Sequence, residues 1–281
     1  MEKVSLENIL EAVNDIPALP QVVIRVMQLA EDPDSTAQDI HKVLDQDQAM
    51  NARVLRLANS AYYGFARRIA TVTDAVVLLG FKTIRGIVLA AAVSDLLQKK
   101  YEGYALEEGE LWRHSQACAI AARLIARRCR LSNLDVAYTA GLLHDIGKVI
   151  LNRYMKEAYH EVVDLVTSQE IPFMNAEDQI LGFNHAVVGA RLAERWSLPP
   201  LLVEAIEKHH QPGQASEDQK LTAIIHLADA VCLSMGIGIG VDGLLYPVYP
   251  ETLALLGVSE ADLEAIVSDM TDLLSDPASL E

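Results

Sequence analysis

The feature that most constrains this chain is a series of apolar stripes that repeat with the period of an α-helix. Val22, Val26 and Leu29, for example, fall on one face of residues 21–31. Short polar or proline-containing segments separate the stripes, and no stretch alternates apolar and polar residues as a half-buried strand does. Alanine and leucine, both strong helix formers, are abundant. We therefore predict an all-α protein built as a multi-helix bundle.

The same pattern predicts where the helices begin and end. The predicted helices cover residues 5–14, 21–31, 35–45, 47–60, 74–79, 82–98, 110–129, 134–145, 157–169, 175–181, 184–196, 198–210, 221–235 and 260–274, with a further helix from about residue 148. The predicted N-caps are Ser5, Ser35, Thr73 and Asn184.

The polar segment at residues 99–109, which contains two glycines, is the clearest candidate boundary between domains. We predict an N-terminal helical subdomain at residues 1–100 and a second helical subdomain at residues 101–281 that ends in an acidic extension.

Charge is distributed unevenly along the chain. The net charge is −16, and residues 101–281 carry 27 acidic but only 12 basic side chains. No Lys or Arg follows Gly240. Because such a surface repels polyanions, we expect no general nucleic-acid binding and no association with anionic membranes.

The three cysteines, Cys118, Cys129 and Cys232, are an odd number and contain no C-x-x-C pair. This pattern argues against a disulfide framework and a thiolate zinc site, so we interpret them as buried small residues in a reducing compartment. The first residues lack a basic and then apolar signal segment, and charged residues interrupt the most apolar stretch, residues 69–97. We expect a cytoplasmic protein.

Seven residues on predicted helices or at their ends are candidate metal ligands. They are His114, His144, Asp145, His185, His209, His210 and Asp229. Neutral imidazole and carboxylate suit divalent Fe, Mn or Zn, and helical bundles hold such ligands well. A carboxylate beside a histidine, as in His144-Asp145, is able to bridge two ions, and Lys148 could stabilise negative charge nearby. We interpret His41, His160 and His226 as surface or hydrogen-bonded histidines outside this set.

The segment Gly141-Leu-Leu-His-Asp-Ile-Gly-Lys148 resembles the central motif of the HD superfamily of metal-dependent phosphohydrolases. The superfamily pattern of a His, a His-Asp pair and a distant Asp is matched by His114, His144-Asp145 and Asp229. A subgroup that hydrolyses cyclic dinucleotides adds one His and then a His-His pair, matched by His185 and His209-His210. The resemblance implies that all seven residues bind one or two metal ions.

The N-terminal half resembles the HDOD family, and this resemblance covers roughly residues 13–215. It rests on Leu19-Pro20 through Leu29, on residues 45–64 with Arg53-Val-Leu-Arg-Leu-Ala-Asn-Ser60, and on residues 75–86 with Leu79-Gly80. It implies an all-helical, HD-related signalling domain, bacterial and often joined to sensor or regulatory modules, in which lost ligands have removed hydrolase activity. This chain departs from that pattern because it keeps the ligands. It departs from the cyclic-dinucleotide hydrolases because Gln211-Pro-Gly-Gln214 replaces their Glu and Gly-Tyr-Pro loop.

Two functional hypotheses follow. The first is a regulatory, non-catalytic HDOD protein with a retained metal site, whose N-terminal half contacts a protein partner in a signalling pathway. The basic residues of that half form either a patch for an acidic partner, a nucleotide or a phosphate, or ordinary solvated helix faces; they are Arg53, Arg56, Arg67, Arg68 and Arg85.

The second hypothesis is an HD-type metal-dependent phosphohydrolase in which a metal-activated water attacks a phosphate ester. Asp145 would bridge two ions and, with Lys148 as the phosphate-binding group, would take part in catalysis. We favour the first hypothesis because the ligands are present while the substrate-recognition loop is lost.

Overall fold

The computed structural model describes residues 11, 13–60, 63, 68–238, 240, 243 and 246–275. These residues form fourteen α-helices, here numbered α1 to α14, with two 3₁₀ turns. No β-strand occurs among them, and their extended pairing is limited to an isolated bridge between Tyr101 and Leu106. The prediction of an all-α fold is confirmed. None of the described helices is both long and apolar enough to cross a bilayer.

The predicted helix at residues 5–14 and its N-cap Ser5 lie almost entirely outside the described residues.

A first compact unit comprises residues 19–95 and 268–275. Its helices are α1 (Gln21–Glu31), α2 (Ala37–Leu44), α3 (Gln48–Ala58), α4 (Val72–Leu79) and most of α5 (Phe81–Leu97). Helix α2 packs against α1, α3 and α4. Ile40, Leu44 and Val54 are fully buried, so this unit has an apolar core of its own.

Two N-caps in this unit differ from the sequence-based prediction. Thr36, not Ser35, caps α2 and takes part in a capping box. Thr71, not Thr73, caps α4, and its hydroxyl accepts a hydrogen bond from a backbone amide three residues on at 3.1 Å. Each predicted cap lies one or two residues from another Ser or Thr with the same capping chemistry, and sequence locates helix ends only to within one or two residues.

A second compact unit comprises residues 96–267 together with residues 11 and 13–18. Its helices are α6 (Glu110–Arg128), α7 (Leu134–Leu143), α8 (Lys148–Gln169), α9 (Phe173–Leu181), α10 (His185–Arg195), α11 (Pro200–Lys208), α12 (Gln219–Ser234), α13 (Pro250–Leu256) and the first part of α14 (Glu260–Leu274). The two segments predicted from residue 148 and at residues 157–169 form the single helix α8, because neither Gly nor Pro interrupts them. The division at residue 100 remains a prediction.

Helix α6 lies at the centre of the second unit, packed against α7 and α12. Glycines allow the elements around it to approach closely. A Cβ on Gly141 of α7 would lie 2.7 Å from the Cys118 carbonyl oxygen of α6. A Cβ on Gly147 would lie 1.9 Å from the His185 carbonyl oxygen of α10. The His144-Asp145 pair sits between these two contacts, so its position is tightly fixed.

Candidate metal centre

Five helices of the second unit bring the seven predicted ligands into one cluster, which we call the ligand cluster. The residues are His114 on α6, His144 and Asp145 directly after α7, His185 at the start of α10, His209 and His210 directly after α11, and Asp229 on α12. The prediction that Asn184 caps α10 is confirmed, since its side chain accepts a hydrogen bond from the Val187 amide at 2.9 Å. All members of the cluster are buried except His210, which is half-buried.

Asp145 lies at the middle of the ligand cluster. Its Oδ2 is 3.5 Å from Nε2 of His114 and 3.4 Å from Nε2 of His144. Its Oδ1 is 3.4 Å from Nε2 of His185 and 4.0 Å from Nε2 of His209. The two oxygens of one carboxylate therefore face two different groups of imidazoles, as expected of a carboxylate that bridges two ions.

The remaining distances define these two groups. Asp229 Oδ1 is 3.1 Å from Nε2 of His114 and 3.7 Å from Nε2 of His144. On the other side, Nε2 of His210 is 2.8 Å from Nε2 of His185. Donor atoms of His185, His209 and His210 all lie within 4.8 Å of one another.

Hydrogen bonds at the outer edge of the rings orient four of the histidines. The Nδ1 atoms of His114, His144 and His209 lie 2.9, 2.7 and 2.7 Å from the backbone oxygens of Ile237, Gly141 and Ile206. Nδ1 of His185 lies 2.6 Å from a carboxylate oxygen of Glu177. Because each Nδ1 faces an acceptor, it carries the proton and turns Nε2 toward the cluster. Metal-binding histidines are held in the same way.

Two inward-facing nitrogens test whether the cluster fits a metal. Nε2 of His144 and Nε2 of His209 are buried and form no hydrogen bond with any described residue. Oxygens of Asp145 lie 3.4 and 4.0 Å from these two nitrogens, but neither contact is a hydrogen bond, and a buried polar atom without a hydrogen bond is costly. A divalent cation would satisfy both atoms, since their neighbours are carboxylate oxygens and other imidazole nitrogens. The side chains present therefore fit a bound metal.

The charges of the cluster also favour a cation. Burial opposes ionisation of Asp145 and Asp229, but it is outweighed by His144 and Lys148 beside Asp145 and by His114 and His144 beside Asp229, which hold the pKa of both carboxyls well below its usual range. Burial likewise opposes protonation of His144, but the charge of Asp145 outweighs it and raises the pKa of His144 to about 10. Burial and the neighbouring His144 keep the pKa of His209 well below its usual value. Both buried carboxylates are thus ionised beside positive charge, and a bound ion would supply that charge in place of the protons on the neighbouring histidines.

Lys148 is buried, whereas a lysine that binds phosphate on an open surface would be exposed. Its side chain is 2% exposed, and its Nζ is 2.5 Å from Asp145 Oδ2 and 5.7 Å from the centre of the Tyr104 ring. In this position the ammonium group neutralises Asp145.

Sequence reasoning missed Glu177 of α9. It is fully buried and receives hydrogen bonds from the Tyr104 hydroxyl at 2.6 Å, the His185 amide at 3.1 Å and the His185 ring at 2.6 Å. Its position in the sequence carries a signal, because it lies one helical turn from both Phe173 and Leu181 in the middle of an apolar stripe. An acidic residue at the centre of such a stripe is buried and needs partners.

Sequence reasoning also missed Cys118 and Tyr246. Cys118 Sγ lies 3.4 Å from His114 Nε2, and the spacing of four residues on one helix was the available signal. Tyr246 follows the glycine-rich segment, and its hydroxyl lies 3.1 Å from Nδ1 of His226. No spacing rule predicts a contact across such a loop, so Tyr246 had no comparable signal.

The histidines placed outside the ligand set have other surroundings. His160 is exposed, and Nε2 of His41 lies 3.1 Å from a carboxylate oxygen of Asp45. His226 is fully buried, and its Nδ1 donates to the backbone oxygen of His209 at 2.9 Å.

A small cavity of about 60 Å³ reaches the ligand cluster at His185 and His210. Tyr246 and Tyr249 are among the residues that line it. The Tyr246 ring centre is 5.3 Å from that of His210, so this aromatic side chain covers one edge of the cluster.

The arginines of the first unit are partly neutralised. Arg53 forms an ion pair with Asp95, and Arg85 pairs with Glu31 at 2.8 Å. Other members of the proposed patch, Arg56 and Arg68, are exposed, and Arg67 lies outside the described residues.

Comparison with known proteins finds a relative that matches about three quarters of this chain. An uncharacterized protein of Treponema pallidum (strain Nichols) is 27% identical over 214 residues, which are 76% of this chain and 41% of that protein. This chain therefore spans less than half of that relative.

Solved structures match along nearly the whole chain. An HDOD domain protein of unknown function from Geobacter sulfurreducens has a TM-score of 0.73 and 30% identity, covering 98% of this chain and 97% of its own. A Shewanella amazonensis SB2B protein, provisionally named a phosphohydrolase, has a TM-score of 0.73 and 26% identity, covering 97% and 96%. The family model for the HDOD domain matches residues 16–212. This chain belongs to the HDOD domain family.

Proposed function

We propose that this protein is a regulatory HDOD protein that holds a divalent metal in the ligand cluster and does not hydrolyse phosphate esters. The observation that carries this proposal is a contrast within one site. The donor atoms converge on a centre that fits a metal, while the cavity that the described residues form at His185 and His210 has a volume of about 60 Å³.

The size of the cavity argues against turnover. Binding sites for small molecules commonly have volumes of about 300–1,000 Å³, whereas the cavity at His185 and His210 has about 60 Å³. His185 and His210 of the second group line this cavity, whereas Asp145, His114 and Asp229 do not line it and are buried. A neighbouring cavity of about 590 Å³ is also lined by Gln211 and Tyr249, but no member of the ligand cluster lines it.

Each member of the ligand cluster has a role in this proposal. His114, His144 and Asp229 hold one ion, and His185, His209 and His210 provide ligands for a second, with Asp145 between the two groups. The Nδ1 hydrogen bonds orient the rings before an ion binds. Lys148 neutralises Asp145 through the Oδ2 atom of that carboxylate.

A metal-dependent phosphohydrolase is the second candidate, favoured by the placement of Asp145 between two sets of imidazoles. A divalent ion bound there would supply Lewis acidity and lower the pKa of a coordinated water. The name of the Shewanella amazonensis protein points in the same direction. In this reading Lys148 and Asp145 are the catalytic residues, and Lys148 turns from Asp145 toward the phosphate.

Turnover assays on metal-loaded protein distinguish the two candidates. The chain is loaded in turn with Fe²⁺, Mn²⁺ and Zn²⁺, its metal content is measured, and hydrolysis of bis(p-nitrophenyl) phosphate and p-nitrophenyl phosphate is followed. We expect bound metal without hydrolysis above the rate of the same ion in buffer. Hydrolysis that disappears in an Asp145→Ala variant would contradict the regulatory proposal and support the hydrolase.

The proposal includes a protein partner and a cytoplasmic location. Three free cysteines, two of them buried, suit a reducing compartment. The exposed Arg56 and Arg68 could meet an acidic protein or a phosphate group.

A further inference from the structure

Cys118 sits beside the first group of ligands. It lies one helical turn after His114 on α6, and its side chain is fully buried. Donor atoms of Cys118, His114, His144 and Asp229 all lie within 4.8 Å of one another. Each of the four side chains thus offers one donor atom to the same small space.

The distances agree with four ligands around one ion. In a tetrahedral zinc site with Zn–S near 2.3 Å and Zn–N near 2.0–2.1 Å, a sulfur and a nitrogen lie roughly 3.5 Å apart and a nitrogen and an oxygen roughly 3.3 Å apart. The observed separation of Cys118 Sγ and His114 Nε2 is 3.4 Å. Asp229 Oδ1 is 3.1 and 3.7 Å from the two histidine nitrogens.

A second observation points to a ligand at this place. His144 Nε2 is buried, faces the same space and makes no hydrogen bond within the described part of the chain. The nearby oxygen of Asp145 is engaged, since Oδ2 accepts a hydrogen bond from Lys148 at 2.5 Å. The thiol of Cys118 is therefore available as the fourth donor without disturbing that ion pair.

We propose that Cys118 is a metal ligand that, with His114, His144 and Asp229, holds one zinc ion. The inference rests on the proposed function, because it assigns the metal and the ligands of the same cluster. As the bond from Sγ to the ion forms, the thiol proton leaves to solvent and no oxidation state changes. Thiolate favours Zn²⁺ over Mn²⁺, and four protein ligands complete a closed, structural site.

Cobalt substitution tests the role of the sulfur directly. Metal-free protein, kept reduced, is titrated with Co²⁺, and its near-ultraviolet absorption is recorded. We expect one equivalent of Co²⁺ to produce a thiolate-to-cobalt charge-transfer band. Cys118→Ala should lose this band, whereas Cys129→Ala, which removes the free thiol at the C-terminal end of α6, should keep it.

Two further measurements separate the outcomes. Cys118→Ser has nearly the same size, so it removes the thiolate with little change in packing, and circular dichroism verifies that each variant is folded. Bound Co²⁺ without the band, or a band that survives in both Cys118 variants, would overturn this inference while leaving the proposed function standing. Failure of the wild-type protein to bind Co²⁺ or Zn²⁺ would overturn both.

Discussion

At the scale of single residues, the sequence predicted which side chains meet but not what holds them. All seven proposed ligands converge, because the order of a His, a His-Asp pair and a distant Asp carries information about the fold as well as the chemistry. The outer contacts are different, since three ring nitrogens bond to backbone oxygens, which any residue supplies. Because the side chain of the partner residue takes no part, its identity does not predict these contacts.

Glu177 is the outer contact that mutation tests best. Its carboxylate orients His185 through the ring and the amide of that residue. Removal of a carboxylate that orients a metal-binding histidine commonly lowers metal affinity by about 10–100-fold. We expect a loss of that size for the second ion in Glu177→Gln, measured by competition with a chelator.

The matched control for Glu177→Gln is Glu161→Gln, which changes an exposed carboxylate on α8. Its metal affinity should equal that of the wild type. An unchanged affinity in Glu177→Gln would show that His185 either is not a ligand or needs no orientation.

At the scale of helices, the period of the apolar residues and the positions of Gly and Pro predicted most of the helices. They did not predict where two helices approach each other closely. A glycine next to His144-Asp145 reads from sequence as a turn or a helix end. Only the structure shows that Gly147 lies against the backbone of α10, where a Cβ would meet an oxygen at 1.9 Å. Gly147 and His185 are 38 positions apart in the sequence, so no local sequence pattern predicts this contact.

Gly147→Ala tests that contact. Overpacking of a core typically costs about 1–3 kcal/mol, and rotation of a side chain cannot relieve a clash with a backbone oxygen. We therefore expect a loss of about 3 kcal/mol or more in the free energy of unfolding, measured by urea denaturation of the metal-free protein. Gly213→Ala is the control, since a Cβ there meets nothing within 4 Å. Equal stabilities of the two variants would contradict the close packing of α8 and α10.

Glu204 of α11 tests how a single carboxylate fixes the segment before α12. It accepts hydrogen bonds from the backbone amides of Ser216, Glu217 and Asp218. Burial opposes its ionisation, but these hydrogen bonds outweigh that effect and lower the pKa of Glu204. Because the pKa is lower in the folded protein, the stabilisation is present above the ordinary pKa and is lost as pH falls through the folded value.

We therefore expect Glu204→Gln to lower the free energy of unfolding at neutral pH by about 1 kcal/mol, since Glu204 is only half-buried and solvent screens its charge. The difference from wild type should shrink below the ordinary pKa of 4.5. Urea denaturation at several pH values measures it, with Glu207→Gln on the same helix as the control. A difference that does not change with pH would show that charge has no part in the contact.

At the scale of the whole molecule, the sequence established the fold class and the family, while function depends on what reaches the cluster. The departure at Gln211-Pro-Gly-Gln214 predicts the loss of a recognition loop, and the turnover assay of metal-loaded protein tests that prediction. The described residues leave a cavity of about 60 Å³ at His185 and His210. Tyr246 is one of the residues that line it. Tyr246 lies 20 positions after His226, whose ring it contacts, so local sequence could not predict its place beside the cluster.

The central claim is that the ligand cluster binds a divalent metal, and the metal content of the purified protein tests it most directly. The wild-type chain should contain at least one equivalent of Zn, Fe or Mn after purification or after reconstitution and desalting. Asp145→Ala should contain less metal, because Oδ1 of this carboxylate faces the ligands of the second ion and its negative charge offsets that of an ion in either group. A wild-type protein that remains free of metal after reconstitution, or an Asp145→Ala variant with unchanged content, would contradict the claim.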